Sequence, residues 1–374
     1  MIFVLSRSFG SIYKHIAKPL LFRCSPDSVH NALIRTGSII SKLPLVKPIF
    51  RAVFRYDNKL LAQTICGLRF ENPVGLSAGF DKNFELLALL PQVGFGFVEG
   101  GSLTAKESAG NKRPHYHRLK QSKSILVNAG LNNHGVDAII DRIKAYKTID
   151  YPLNVSVAKT NAQSTATEQE GINDYVASLK KLKKAGVGNL ITINISCPNA
   201  FGGEPYTTPE RLEKLLSYID AVELAIPIFV KMPIDKSWPE FKKLLDVILK
   251  HSVAGVTIGN LAKDRANPYI QDPLPDTLKG NMSGKPTWEL SNNLISKTYG
   301  YCGQKLVIIG VGGIFSAADA YEKIKRGATL VELITGMIFE GPQLIGAINY
   351  GLVQLLQADG YSNISEAIGA YHRT

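Results

Sequence analysis

Cysteine is scarce in this chain, and what there is lies far apart: Cys24, Cys66, Cys197 and Cys302 among 374 residues. No C-x-x-C pair occurs, which argues against a zinc or iron–sulfur site within the chain and against a disulfide framework. A reducing compartment is the default. No apolar run approaches the roughly 18 residues of a membrane span. The Met1–Leu5 run is too short for a secretory core with its flanks, so a cleaved targeting peptide is conceivable only within residues 1–10. H-E-x-x-H is missing, and neither a histidine cluster nor a carboxylate pair falls where strands end. Metal hydrolysis and glycoside cleavage are poorly supported, and no metal is expected. Acids are nearly absent from residues 1–60, where Asp27 and Asp57 stand against ten Lys and Arg. That stretch carries +8 of a formal net charge of +12.

Such a basic patch suits nucleic acid or an anionic membrane, and the residues between the charges decide. Ile12, Ile16 and Leu20 recur one helical turn apart, with Lys14 and Lys18 on another face. Asp27 is placed to cap a second helix carrying Val29, Leu33, Ile39 and Ile40, which Pro44 would end. Val46, Ile49, Phe50, Val53 and Phe54 form a third apolar cluster. The pattern predicts a basic amphipathic hairpin lying in one leaflet. The other reading is a packing extension that covers the rest of the chain. Stacking aromatics are not interleaved with the basic residues, so a nucleic-acid module is disfavoured.

From residue 73 onward, eight apolar runs alternate with amphipathic stretches: 73–80, 96–103, 153–159, 190–196, 226–233, 253–260, 305–313 and 330–336. Helices are expected over 83–90, 135–146, 172–184, 209–224, 239–250, 289–298, 317–326 and 342–357. Eight such units predict an α/β fold, a closed (β/α)8 TIM barrel with an N-terminal amphipathic helical extension. A doubly wound sheet would need a glycine-rich turn opening a helix after the first strand, and Gly75–Gly79 lies within the strand. The division expected is 1–60 for the extension and 61–374 for the barrel. Long polar insertions at 104–134, 160–171, 198–208 and 261–288 follow strands, on the face where barrels build sites.

The strand ends carry the chemistry. The fourth runs into Asn194-Ile195-Ser196-Cys197-Pro198-Asn199, a thiol between carboxamides. A thiol there acts as base or nucleophile if its pKa permits, and carboxamides suit a planar, amide-rich substrate. The first ends in Ala78-Gly79-Phe80-Asp81-Lys82, the second in Gly100-Gly101-Ser102, the fifth in Val230-Lys231-Met232-Pro233 and the sixth in Gly259-Asn260. Lys231 can stabilise a developing anion or, if desolvated, form a Schiff base. Gly312-Gly313 after the seventh strand and Thr335-Gly336 after the eighth leave backbone N–H groups for a phosphate. Ser283-Gly284-Lys285-Pro286 can add a phosphate or ribityl contact. One phosphate site, two lysines, carboxamides and one thiol fit flavin mononucleotide beside a small polar anion.

Segments 75–82, 130–137, 194–199, 230–233, 283–286, 308–314 and 338–342, in this order, resemble the dihydroorotate dehydrogenase family over roughly residues 20–345. Phe22 through Gly37 resembles the helical extension of its quinone-using class 2 branch. The resemblance implies FMN-dependent oxidation of (S)-dihydroorotate to orotate in pyrimidine synthesis. It implies Cys197 as the base taking the C5 proton, with the C6 hydride going to the flavin. Lys82, Asn128, Asn194, Asn199 and Asn260 match substrate-binding positions. Ala78, Gly79, Lys82, Ser102, Ser156, Asn194, Lys231, Gly259, Gly284, Gly312, Gly313, Ile334 and Thr335 match cofactor-binding positions. His30 and Arg118 match polar positions of the quinone tunnel. The implied partners are dihydroorotate or orotate, a membrane quinone and an anionic membrane surface, and no nucleic acid. The implied location is peripheral: the cytoplasmic face of the cell membrane, or the inner mitochondrial membrane in a eukaryote. The quinone branch usually carries Ser where Cys197 stands, and Cys is the habit of the class 1 branch. A thiol ionises far more readily than a hydroxyl, so a different pH profile is expected. Cys197 keeps open a soluble acceptor, fumarate or a partner protein, and Lys231 a Schiff-base lyase.

Overall fold

Eight short apolar runs become eight parallel strands that close on themselves in the computed structural model, which describes residues 8–373. They are β1 (Val74–Leu76), β2 (Phe97–Leu103), β3 (Leu153–Val157), β4 (Leu190–Asn194), β5 (Ile228–Met232), β6 (Gly255–Ile258), β7 (Val307–Val311) and β8 (Leu330–Leu333). Val331 of β8 pairs with Val74 of β1 and completes the ring. Every residue of β2 and β4 is buried, because helices cover the outside and side chains fill the inside. That is why these strands read as continuous apolar runs rather than alternating ones.

Besides the short helical turns Lys18–Leu21 and Ile364–Ala367, the helices include α1 (Pro26–Ile40), α2 (Val46–Phe54), α3 (Leu90–Val93), α4 (Gly135–Lys144), α5 (Glu168–Ala185) and α6 (Pro209–Asp220). They continue as α7 (Trp238–Ile248), α8 (Trp288–Cys302), α9 (Ala317–Lys325), α10 (Thr335–Glu340) and α11 (Leu344–Ala358). Local sequence sets several ends. Thr167 and Glu170 form a reciprocal capping box at the start of α5, and Gly186 closes it in the left-handed region. A second box, Ser237 with Glu240, starts α7.

A hairpin of Gln63–Ile65 and Leu68–Phe70 plugs the N-terminal end of the barrel. Its Phe70 packs with Phe97, Leu190, Phe229, Ile309 and Leu330. Gly75 is required beside this plug, since a Cβ there would lie 2.3 Å from the Phe97 ring. Gly75→Ala is expected to destabilise the barrel by about 1–3 kcal/mol through overpacking. Urea unfolding followed by circular dichroism measures it, and an unchanged midpoint would contradict this packing.

The extension departs from expectation in detail. Residues 8–21 are helical, with a π-type segment over Tyr13–Ala17. Helix α1 is N-capped by Ser25 without a side-chain bond. Asp27 instead turns inward and accepts hydrogen bonds from the backbone N–H of His115 and Tyr116. Helix α1 stops at Ile40, before Pro44 can act. Ile12, Ile16, Leu20, Leu33, Ile39, Leu43, Leu45 and Ile49 are exposed. Ile34 on the opposite face joins the barrel's own core, and Gly37 packs against Leu86. The extension therefore covers the barrel on one side and presents an apolar face on the other. Among the described residues no helix is long and apolar enough to cross a membrane.

The helix expected over 83–90 does not form. The Asp81 carboxylate accepts from the backbone N–H of Glu85 and Leu86, and Phe84 sits at φ 60, so the segment turns tightly. Only the four residues of α3 are helical there. Within the long insertions, Tyr116–Leu119, Ser124–Val127 and Asn281–Met282 form a small antiparallel sheet over the barrel mouth.

Candidate active site

One end of the barrel mouth is built from glycines. Gly312 (φ 110) and Gly313 (φ 70) follow β7 in conformations side-chain-bearing residues rarely adopt. A Cβ at Gly312 would lie 2.4 Å from Thr287 Oγ1, and one at Gly284 would lie 2.4 Å from the Lys123 carbonyl. The Ser283 and Thr335 hydroxyls meet at 2.8 Å across this space. With Ser77, Ala78, Gly259, Ile334 and Gly336, these residues line a cleft of about 530 Å³ including its open mouth. Hydroxyls, unhindered backbone and no carboxylate among its lining residues suit a phosphate tail.

The cleft opens past Ala78, Lys231 and Asn260 into a larger cavity, about 1230 Å³ including its mouth. Cys197 lines it, just beyond β4. Burial pushes the Cys197 thiol up to about 11, against the pull of the Asn199 N–H and of Lys231. The resting group is therefore a thiol, and the easy ionisation expected of cysteine is cancelled by its surroundings. Lys82 faces the same space, donating to Tyr116 Oη at 2.5 Å and to Asn132 Oδ1 at 2.6 Å. Burial lowers its pKa to about 8, with Asp27 and Cys197 opposing.

Protein contacts fix the carboxamides. Asn194 Nδ2 donates to Ser102 Oγ at 2.9 Å, and Ser102 meets Ser156 Oγ at 2.7 Å. Asn199 Nδ2 donates to the Val127 carbonyl and Asn199 Oδ1 accepts from Asn281, both at 2.9 Å. Asn260 Nδ2 donates to the Ser196 carbonyl and Oγ at 2.6 and 2.9 Å. Asn194 and Asn199 each keep an N–H for a ligand, whereas Asn260 spends both on Ser196.

The far end of the cavity is apolar and reaches the extension. Pro26, Val29, His30 and Leu33 of α1 line it with Phe80, Ile334 and Ile338. His30 packs edge-on against Phe80. Burial, with help from Lys82, lowers His30 to about 4, so it is neutral near pH 7. Arg118 also lines the cavity, lying over the Phe22 ring at 4.6 Å and donating to the Cys24 carbonyl at 2.8 Å.

The structure thus brings nearly all the expected residues to one connected space. Two are set back. Ser156 touches the cavity only through Ser102, and Asn128 accepts from Asn111 Nδ2 at 3.0 Å behind the lining. Other residues emerge that the sequence did not single out. Asn111 also donates to the Asn199 carbonyl. Asn161 donates to the Gly130 carbonyl and accepts from the Phe201 N–H, and Lys159 donates to the Phe201 carbonyl at 2.6 Å. Together they tie the Cys197 loop to its neighbours. For Asn111 and Asn161 the only sequence signal was the density of Asn in polar insertions, and for Lys159 its place at the close of the third apolar run. A carboxyl pair, Glu99 and Glu332, lies inside the barrel beneath Lys231, although none was expected at the mouth. Its signal was a charge embedded in each of two apolar strands.

A closed eightfold barrel with a glycine-lined cleft, a central lysine and a thiol-and-amide wall is the architecture of a barrel enzyme with its site at the strand ends. The family description "Dihydroorotate dehydrogenase" matches residues 60–356, and the chain belongs to that family. It is 32% identical over 357 residues to a dihydroorotate dehydrogenase (quinone) of Haloarcula marismortui, covering 95% of this chain and 98% of that one. It is 33% identical over 355 residues to the protein of the same name from Gloeobacter violaceus, covering 95% and 98%. A solved structure of the Eimeria tenella enzyme in complex with ferulenol superposes with a TM-score of 0.83 at 26% identity, covering 93% and 96%.

Proposed function

We propose that this chain oxidises (S)-dihydroorotate to orotate with flavin mononucleotide and passes the electrons to a membrane quinone. The observation that carries this reading is the single cavity running from Cys197 and Asn199, past Gly79 and Lys231, to Val29 and Leu33 of α1. A soluble acceptor has no use for an apolar passage ending at an exposed apolar helix face. A Schiff-base role for Lys231 is disfavoured by its surroundings, since its Nζ faces Glu99 and Ser77 inside the barrel.

The residues present fit the cofactor. Gly312, Gly313, Gly284, Ser283 and Thr335 would hold its phosphate, Ala78, Gly79 and Ser102 its flat ring, and Lys231 the edge that gains negative charge. When bound, the flavin supplies a two-electron acceptor. The Lys82 ammonium would pair with the substrate carboxylate, and Asn194 and Asn199 would orient the ring with their remaining N–H groups. Cys197 would take the carbon-bound proton as a thiolate, a strong base because it is poorly solvated. Ser156 would act through Ser102 and Asn128 through Asn111. His30 and Arg118 would border the quinone. Residues 1–60 would serve as a membrane-facing unit, with Ile12, Ile16, Leu20 and Ile49 in lipid and nearby lysines at anionic headgroups. The membrane surface is assigned as the cytoplasmic face of the cell membrane, or the inner mitochondrial membrane in a eukaryote.

Removing the whole extension would strip Ile34 from the core, so a point substitution is the sharper test. Val29→Trp should block the passage. Anaerobic bleaching of the flavin by dihydroorotate should persist, while reoxidation by a short-chain ubiquinone analogue falls by at least about tenfold. Equal reoxidation rates in variant and parent would remove the passage from the mechanism. A folded protein purified without flavin would end the whole reading.

A further inference from the structure

The barrel interior holds two acids that the proposed reaction leaves without a task. Glu99 on β2 and Glu332 on β8 stand on either side of β1, and both are fully buried. Ser77 lies just beyond β1, and both Glu99 and Ser77 act on the ionisation of Glu332. Lys231 Nζ is 3.9 Å from Glu99 Oε2 and donates to Ser77 Oγ at 3.3 Å. Among the described residues, none of the four carboxyl oxygens has a hydrogen-bond partner in ordinary geometry, although the Ser77 hydroxyl lies near enough to Glu332 to favour its ionised form.

Charge and hydrogen bonding have the same remedy here. Two carboxylates with one ammonium would leave a net negative charge sealed from water, which is strongly disfavoured. Two ionised carboxyls would also face each other with acceptors only. One proton between them restores neutrality and supplies the missing donor. Like-charged carboxyls held together behave this way because they cannot both ionise. Burial and the neighbouring Glu99 hold Glu332 well above the usual carboxylate range, with Lys231 opposing.

We propose that Glu99 and Glu332 share a single proton and form with Lys231 a neutral buried triad that sets the electrostatic potential under the cofactor. The proposal rests on the reading that places Lys231 at the flavin edge. Both acids are positioning residues: they act through Lys231, whose free charge decides how readily an electron pair arrives above it. Either acid alone balances Lys231. With neither, the ammonium is unpaired and reduction becomes easier.

The test combines infrared spectroscopy with redox titration of the flavin-loaded protein. At about pH 8 an ordinary carboxyl is ionised, and so is Asp81, which burial raises to about 6. A protonated carboxyl stretch that shifts in D2O should be present there in the parent. It should be absent in Glu99→Gln and in Glu332→Gln, because the remaining acid carries the single negative charge. Each single variant should keep the parent's flavin midpoint potential. The double Gln variant should raise it enough to change the reduced-to-oxidised ratio at least tenfold, about 30 mV for a two-electron couple. No such band in the parent, a band surviving in both single variants, or an unmoved potential in the double variant would overturn the proposal. If the variants do not fold, the parent's band alone decides whether a proton is held. A protein that binds no flavin would sink the functional reading, while the infrared readout would still judge the shared proton.

Discussion

Replacing Cys197 by Ala is expected to slow bleaching of the bound flavin by dihydroorotate by about 10²–10⁴-fold, the usual contribution of a positioned base. Flavin content should be unchanged, because the glycine cleft lies at the other end of the mouth. Anaerobic stopped-flow absorbance measures both quantities on one sample. The pH profile of the parent carries the sharper signature. As the proposed base, Cys197 acts as the thiolate, and burial holds the thiol up to about 11. Rising pH therefore increases the active fraction about tenfold per unit below that value. Lys82, proposed to hold the substrate carboxylate as a cation, works in the opposite direction, because burial lowers its pKa to about 8. The two slopes cancel between the two values. The kcat/KM for dihydroorotate should climb to about pH 8 and then level. Lys82→Met should lose the break while lowering the whole curve. A flat profile between about pH 6 and 8, or near-parent bleaching in Cys197→Ala, would place the base elsewhere.

Gly312→Ala should yield a folded protein that is largely colourless. Gly312 sits at φ 110, and a Cβ there would meet Thr287 Oγ1 at 2.4 Å and Thr287 Cβ at 3.0 Å. Relief requires the turn after β7 to move, and that turn with Gly284 and Thr335 forms the cleft. Forcing a residue into such a conformation costs about 1–3 kcal/mol. Spent at the proposed cofactor site, that cost should weaken flavin binding by about 10–100-fold, measurable by fluorescence titration of the stripped protein. Circular dichroism should show the barrel intact. Full retention of colour after extensive dialysis would remove Gly312 from the cofactor site.

Much of this was legible from residue order. Strands buried on both sides announce themselves as apolar runs, and all eight were read within a few residues. The strand ends then indicated the cavity wall, so Cys197, Lys231 and Gly312 could be named before their positions were known. What escaped depends on contacts distant in sequence. The two residues Asn281–Met282 form a strand only because Leu126 and Val127 lie beside them. Asp27 looked like a cap because its neighbours are helical, yet its carboxylate serves amides 88 residues away. The helix expected over 83–90 was lost to a side chain, since Asp81 offers Glu85 and Leu86 a better acceptor than the preceding turn does. The thiol's raised pKa was unreadable for the same reason: it comes from burial by several loops, not from the residue.

The bond from Asp27 to Tyr116 has one more implication. Tyr116 Oη is the acceptor for Lys82, so a short chain of contacts runs from α1 to the lysine at the heart of the cavity. On this chain of contacts, displacing α1 is expected to shift Lys82. Under the proposed membrane reading, adding anionic vesicles should thus change how tightly the protein holds its substrate.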